Sequence, residues 1–300
     1  MRVFLTGATG FIGSQVAREL VGAGHAVLGM TRSDAGAAAL VAIGADVHHA
    51  DLGDLEAMRA GAAQADGVIH TAFDHDFSKY VASCEQDRRV IEALGAELKD
   101  SNRPLIITSA VGMGERGKGE PAIEAVLNRD HPVPRIASEL AGNDMLDAGV
   151  DVRVVRLPQV HDTMKQGLIA PYVELCRSKG SVAYVDEGLN RWSAAPVADV
   201  ARLFRLALET GQAGERYNAV AEEGVPFRHI AEAVGQGLDR PVQRIIPEQA
   251  QDFFGWFAMF AELDMSASSD WTRARLGWAP TGPGLIDDLE RMDYQPGRSS

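Results

Sequence analysis

Short apolar runs alternate with longer stretches of helical periodicity through the first half of the chain. Val3-Phe4-Leu5 reads as a buried strand, with a helix after it over 11–23. Ala26-Val27-Leu28-Gly29-Met30, Ala45-Asp46-Val47-His48 and Gly67-Val68-Ile69-His70 give three more strands. Leu105-Ile106-Ile107-Thr108 and Val152-Arg153-Val154-Val155 follow as a fifth and a sixth. Helices over 35–43, 55–60, 81–98 and 137–148 fall between them. Apolar strands that each feed a helix predict parallel crossovers and a sheet covered on both faces. The predicted class is α/β, a doubly wound parallel sheet.

After Pro158 the pattern weakens. Only one helix is predicted in 159–196, near 171–178, and a second over 197–209 from Val200, Leu203, Phe204 and Ala207 at three- and four-residue spacing. Tyr217-Asn218-Ala219-Val220 reads as a further strand of the main sheet. The domain expectation is therefore a core over 1–158 to which 197–221 returns, and a smaller substrate-facing lobe from 159–196 and 222–300. Aromatic residues at Phe253, Phe254, Trp256, Phe257 and Phe260 read as core between the two.

Composition narrows the function. The chain has 29 Lys plus Arg against 42 Asp plus Glu, a formal charge of −13. That balance argues against nucleic acid or an anionic membrane as partner, while a local basic pocket for one phosphate stays possible. Cys84 and Cys176 show neither metal nor redox spacing, and His48-His49 lack a ligand set. No apolar run approaches the ~20 residues of a membrane span. The expectation is a cytoplasmic protein with a small-molecule substrate, and a homodimer stays open.

Gly7-Ala8-Thr9-Gly10-Phe11-Ile12-Gly13 lies between the first strand and the first helix, the Rossmann position for a dinucleotide. Gly7 would allow the tight turn, Gly10 the approach of a pyrophosphate, and Gly13 close packing of helix on strand. Free N–H groups of the helix would then face the phosphates. After the second strand the chain reads Met30-Thr31-Arg32-Ser33, with no acid where NAD-binding folds hold the ribose. Arg32 would pair with a 2′-phosphate and Ser33 would add a hydroxyl, so NADP is the expected cofactor. A solvated surface charge is the other reading of Arg32, and Asp34 would cap the next helix.

The glycine spacing, preceded by Thr6, resembles the extended short-chain dehydrogenase/reductase superfamily, the NAD-dependent epimerase/dehydratase type. Asp51-Leu52, Val68-Ile69-His70-Thr71-Ala72, Thr108-Ser109-Ala110, Arg156-Leu157-Pro158, Val197-Ala198-Asp199-Val200-Ala201 and Leu276-Gly277-Trp278-Ala279-Pro280 extend the resemblance over most of the chain. The cofactor contacts it implies are Thr6, Gly7, Thr9, Gly10, Phe11, Ile12, Gly13, Arg32, Ser33, Asp51, Leu52, Thr71, Ala72, Phe73 and Leu157.

The same resemblance implies a Tyr-x-x-x-Lys helix, and here the chain departs from it. Aligning the helix before the sixth strand puts Arg135 at the tyrosine and Glu139 at the lysine. Tyr172, Tyr184, Tyr217 and Tyr294 come too late, and Tyr80 too early. A guanidinium stays protonated and cannot shuttle a proton, so Arg135 would act by binding or electrostatics. Arg135 and Glu139 also have the spacing of a surface i,i+4 pair. Ser109 matches the superfamily's upstream serine. Asp87 falls at its helix asparagine, as in an atypical subgroup that binds NADP, although it also reads as an exposed charge beside Arg88 and Arg89. His161, just after the sixth strand, is expected at the pocket mouth, with His70 and His75 as similar candidates. Asn190-Arg191-Trp192 would wall the substrate pocket or join the core.

The expected activity is an NADP-dependent oxidoreductase for a small organic carbonyl or alcohol. A non-catalytic NADP sensor, or an epimerase or dehydratase, is the alternative. If Arg32 holds a 2′-phosphate, NADPH should bind roughly ten- to a hundredfold more tightly than NADH. Titration of both cofactors checks this, and Arg32→Ala should weaken NADPH while leaving NADH nearly unchanged.

Overall fold

The structure is a computed structural model that describes residues 1–117 and 119–295. Its main sheet is built from β1 (Arg2–Thr6), β2 (Ala26–Thr31), β3 (Asp46–His49), β4 (Gly67–His70), β5 (Leu105–Ala110) and β6 (Val152–Leu157). The crossovers are α1 (Phe11–Gly22), α2 (Asp34–Ala42), α3 (Leu55–Ala63), α4 (Tyr80–Leu98) and α5 (Ile136–Asp147). Every strand pair in this sheet is parallel. Alternate residues of each strand feed opposite cores, as the two-residue period requires. Val3, Leu5, Ile69 and Ile106 pack against α1 and the helix Val197–Thr210, whereas Phe4, Val68, Leu105 and Ile107 pack against α3, α4 and α5.

The second half of the chain begins with β7 (Gln159–His161), α6 (Ile169–Lys179), β8 (Val182–Val185) and β9 (Arg191–Pro196). Then α7 (Val197–Thr210) returns to the main sheet, followed by its seventh strand, β10 (Arg216–Asn218). The sheet order is β10-β6-β5-β4-β1-β2-β3. Winding reverses between β1 and β4, so the loops beyond their carboxyl ends diverge and open a crevice. The rest comprises β11 (Glu222–Pro226), α8 (Phe227–Leu238), β12 (Val242–Ile245), α9 (Pro247–Phe254), α10 (Ala258–Ala261), α11 (Asp270–Leu276) and α12 (Leu285–Arg291). Two small sheets, β11-β9-β7 and β12-β8, stand apart from the main one.

Tyr172, Trp192, Phe227, Phe254 and Phe257 form a separate apolar core there. Trp192 is fully buried in it, and the Asn190 amide donates to Ala261 O and Leu263 O. Neither walls the cleft. The sequence reading of this half missed β7, β8, β9, β11 and β12, having expected only short helices and turns from about residue 224. These strands are only 3–6 residues long, too short for a period to show. Among the described residues no helix is long and apolar enough to cross a membrane, and no His/Cys/Asp/Glu group could hold a metal.

One buried ion pair fixes the cleft wall. Arg156 on β6 and Glu139 on α5 are both shut off from solvent, with Arg156 Nε 2.7 Å from Glu139 Oε1. Arg156 also donates to Ile123 O and Val126 O, which ties the loop after β5 to the sheet. Arg216 Nε donates to the second Glu139 oxygen at 3.1 Å. Removing one partner of a buried pair leaves the other charged and uncompensated, at a cost of about 3–5 kcal/mol. Glu139→Ala should lower stability by that amount in urea unfolding. Adding Arg156→Met to it should recover much of the loss.

Candidate active site

The crevice beyond β1 and β4 is a cleft of about 1660 Å³. That exceeds the roughly 300–1,000 Å³ of a pocket for one drug-sized ligand, so it has room for two molecules. Its floor is the glycine turn. Gly7 has φ +66°, and a Cβ there would stand 2.7 Å from the Ala72 amide nitrogen. A Cβ on Gly13 would stand 2.0 Å from Gly7 O, so α1 lies directly on the strand end. Gly10 caps α1 without a side chain, leaving the first-turn N–H groups at Phe11, Ile12 and Gly13 to face the cleft. A tight turn, a backbone open to approach and a bare helix N-terminus suit the pyrophosphate of a dinucleotide.

Thr9, Asp51, Leu52, Thr71, Ala72, Phe73 and Leu157 also line the cleft. So does Arg32, which makes no hydrogen bond or ion pair with other described residues. Ser33 does not line it. Its Oγ caps α2 by accepting the Gly36 N–H at 3.1 Å, a role the sequence suggested for Asp34, which instead sits in the first turn. Thr6 lies buried beneath the floor, where its backbone carbonyl accepts the Thr71 hydroxyl.

A buried polar relay runs from Thr6 under the cleft. Thr6 Oγ1 accepts the Ala72 N–H and lies 2.7 Å from His70 Nδ1. The Thr6 hydroxyl therefore donates to His70, whose Nε2 donates to Asp87 Oδ1 at 3.0 Å. The other Asp87 oxygen accepts from Arg135 Nη1 at 2.5 Å and from Ser138 Oγ at 2.6 Å. Arg135 Nη2 donates to Thr108 O at 2.9 Å, and the guanidinium lies 4.2 Å over the Phe73 ring. Burial by itself would raise the Asp87 carboxyl, but Arg135 and the hydrogen bonds from His70 and Ser138 hold it well below the carboxylate range.

Three expectations change accordingly. Asp87 is 2% exposed, not a surface charge, and it reaches the cleft only through Arg135. Arg135 and Glu139 are not a surface pair, because each is buried against a different partner. His161 is not at the pocket mouth. It is wholly buried outside the cleft lining, with Nδ1 2.7 Å from Asp288 Oδ2 on α12, because β7 turns it toward the second core.

Ser109 lines the cleft, is 2% exposed, and its Oγ has no hydrogen-bond partner. Gln166 Oε1 and Ser266 Oγ share that condition and also line the cleft. The sequence reading named His75 and Phe73 but passed over His131, Phe77 and Tyr80, which also line it. His75 follows β4, its ring edge-on to Phe73 at 5.2 Å, and burial followed by the Arg135 charge lowers its pKa. His131 Nε2 lies 3.3 Å from Glu115, while Nδ1 accepts the Val133 N–H. Tyr80 opens α4 against Phe73 and Phe77, and burial pushes its hydroxyl up to about 12. Trp256 was assigned to the core, but it is 48% exposed and lines the cleft. The sequence signal was the Phe73–Tyr80 run, with three aromatics and a histidine beyond a predicted strand end.

Several known proteins resemble this one. An uncharacterised protein of Schizosaccharomyces pombe is 43% identical over 296 residues, covering 98% of this chain and 100% of its own. A UDP-glucose 4-epimerase of Streptomyces lividans is 25% identical over 321 residues, covering 95% and 93%. The solved structure of DesIV, a dTDP-glucose 4,6-dehydratase from Streptomyces venezuelae with NAD and TYD bound, shares the fold. Its TM-score is 0.78 at 19% identity, covering 98% of this chain and 96% of that one. The model of the NAD dependent epimerase/dehydratase family matches residues 3–219, and the chain belongs to that family.

Proposed function

We propose that the protein is an NADP-dependent oxidoreductase acting on a small organic carbonyl or alcohol. The observation that carries this is the unpartnered Ser109 hydroxyl in the cleft wall. A buried hydroxyl left unsatisfied costs about 1–3 kcal/mol, a cost that a substrate oxygen would remove. The glycine turn and the first turn of α1 would hold the pyrophosphate, Arg32 the 2′-phosphate, and Asp51 and Leu52 the adenosine end. DesIV is described with NAD bound, which favours a nicotinamide dinucleotide here. Such a cofactor supplies or accepts a hydride when bound.

The chain's own residues then position the substrate and move the proton. The Ser109 hydroxyl donates to the substrate oxygen and stabilises the negative charge that grows there on reduction. Arg135 fills the tyrosine place but is held by Asp87, Ser138 and Thr108, so it organises the wall rather than moving protons. His75, in the cleft beside Phe73, is the proton donor we assign, with Asp74, Lys165 and Arg135 as its charged neighbours. A second reading, a dinucleotide binder without turnover, draws on the double loss of tyrosine and lysine.

A carbonyl screen monitored by NADPH oxidation separates these readings, since a binder consumes none. With a substrate so found, Ser109→Ala should lower kcat by about 10²–10³-fold, the scale of one lost oxyanion donor. Arg135→Ala should instead show its main effect as roughly 3–5 kcal/mol of lost stability, because Asp87 is left buried without its cation.

The His75 assignment fixes a pH dependence. Reduction needs the protonated ring, and burial together with Arg135 lowers its pKa below the ordinary histidine value. Reductive kcat should therefore be highest in acid and fall as pH rises through a pKa below ~6.5. His75→Gln should remove that limb from the kcat–pH profile without weakening NADPH.

A further inference from the structure

Apart from the phosphate-binding floor, the walls of the cleft have an unusual chemistry. Phe73, His75, Phe77 and Tyr80, from the β4–α4 connection, meet Trp256 and Phe260, from α9–α10. Phe77 and Trp256 stack with centroids 4.7 Å apart and planes at 14°, and Phe260 stands edge-on to Phe77 at 6.0 Å. Phe77 lies 5.4 Å from Tyr80 and 6.4 Å from His75, so the rings form a continuous surface. Trp256 remains 48% exposed although it is stacked, which leaves ring area open to a ligand.

The charges around it do not suit an anion. Among the described residues, the Lys and Arg side chains lining the cleft are Arg32, Arg135 and Lys165. Arg32 stands at the end of β2, and Arg135 is neutralised by Asp87. Among the described residues that leaves Lys165 for a substrate, on a lining that also carries Asp51, Asp74, Asp76, Glu115, Glu120, Glu262 and Asp264. Glu115, Glu120 and Asp264 already have partners in His131, Arg116 and Arg191. A diphosphate would meet more negative than positive charge, whereas the acids that are already paired offer an organic cation little. What the wall does offer is neutral: the orphaned oxygens of Ser109, Gln166 and Ser266.

From this juxtaposition of an open aromatic surface and neutral hydrogen-bonding groups, we infer that the substrate is an uncharged, flat, ring-bearing carbonyl compound and not a nucleoside-diphosphate sugar. This rests on the carbonyl reductase reading above. The ring lies against Trp256 and Phe77, and the carbonyl oxygen reaches Ser109. Reduction adds a hydride from NADPH to the carbonyl carbon and a proton from His75 to its oxygen, giving the alcohol and NADP⁺.

The test is calorimetric binding to the NADPH-loaded protein of three probes, followed by NADPH absorbance with each. The probes are naphthaldehyde, trimethylammonio-benzaldehyde and UDP-glucose. Naphthaldehyde should bind at least about tenfold more tightly than either other probe. Trp256→Ala should weaken it roughly two- to tenfold and leave NADPH binding unchanged. Tighter binding of UDP-glucose or the cationic aldehyde, no binding of naphthaldehyde, or an inert Trp256→Ala would each overturn the inference. Naphthaldehyde that binds as expected but consumes no NADPH would uphold the substrate class and overturn the reductase reading, so the two fail separately.

Discussion

The buried carboxylate of Asp87 is the constraint around which the cleft is arranged. An ionised group removed from water must be matched by charge and by hydrogen bonds, or it neutralises or unfolds its surroundings. Asp87 recruits them from four residues on three elements: His70 at the end of β4, Arg135 and Ser138 at the start of α5, and through His70 the Thr6 hydroxyl of β1. Those elements carry the glycine turn, the aromatic loop and the wall beside Ser109. Their relative positions follow from satisfying one charge. Because Arg135 holds the Asp87 carboxyl well below its usual range, the relay keeps its ionic character far into acid.

The architecture was legible in the sequence wherever a local pattern was long enough to be periodic. β1, β2, β4, β5 and β6 are buried along nearly their whole length, and Gly7, Gly10 and Gly13 stand where a strand must turn into a helix with little room for a Cβ. Those are short-range requirements, and residue type reports them directly. The second half was less legible because β8 and β12 are four residues long and draw stability from Tyr172, Phe227 and Phe257, which lie far apart in sequence.

Charged side chains were read least well, for a different reason. Asp87, Arg135, Glu139 and His161 all looked solvent-facing or cleft-facing from their neighbours in sequence. Each is buried by a partner 17 or more residues away: His70 and Arg135 for Asp87, Arg156 for Glu139, Asp288 for His161. Burial of a charge depends on that partner, and no window of contiguous sequence contains it. Trp256 fails in the opposite sense. It lies within an apolar run yet faces the cleft, because the turn between α9 and α10 sends Phe254 and Phe257 inward and leaves its ring to Phe77.

The two departures from the family's catalytic helix are best understood together. Tyrosine is replaced by a cation and lysine by an anion, and each new charge meets a buried opposite: Arg135 with Asp87, Glu139 with Arg156. Restoring either family residue alone would strand a charge, since a phenol cannot balance Asp87 and a lysine would face both Arg156 and Arg216. The pair of ion pairs converts a proton-transfer helix into a rigid wall. Arg135 then serves as the platform on which Phe73 lies, and Phe73 in turn supports His75 edge-on. The helix thus supports the ring of His75, the proton donor proposed above, instead of supplying one itself. That separation of support from chemistry also frees the cleft to be lined by aromatic rings and neutral oxygens.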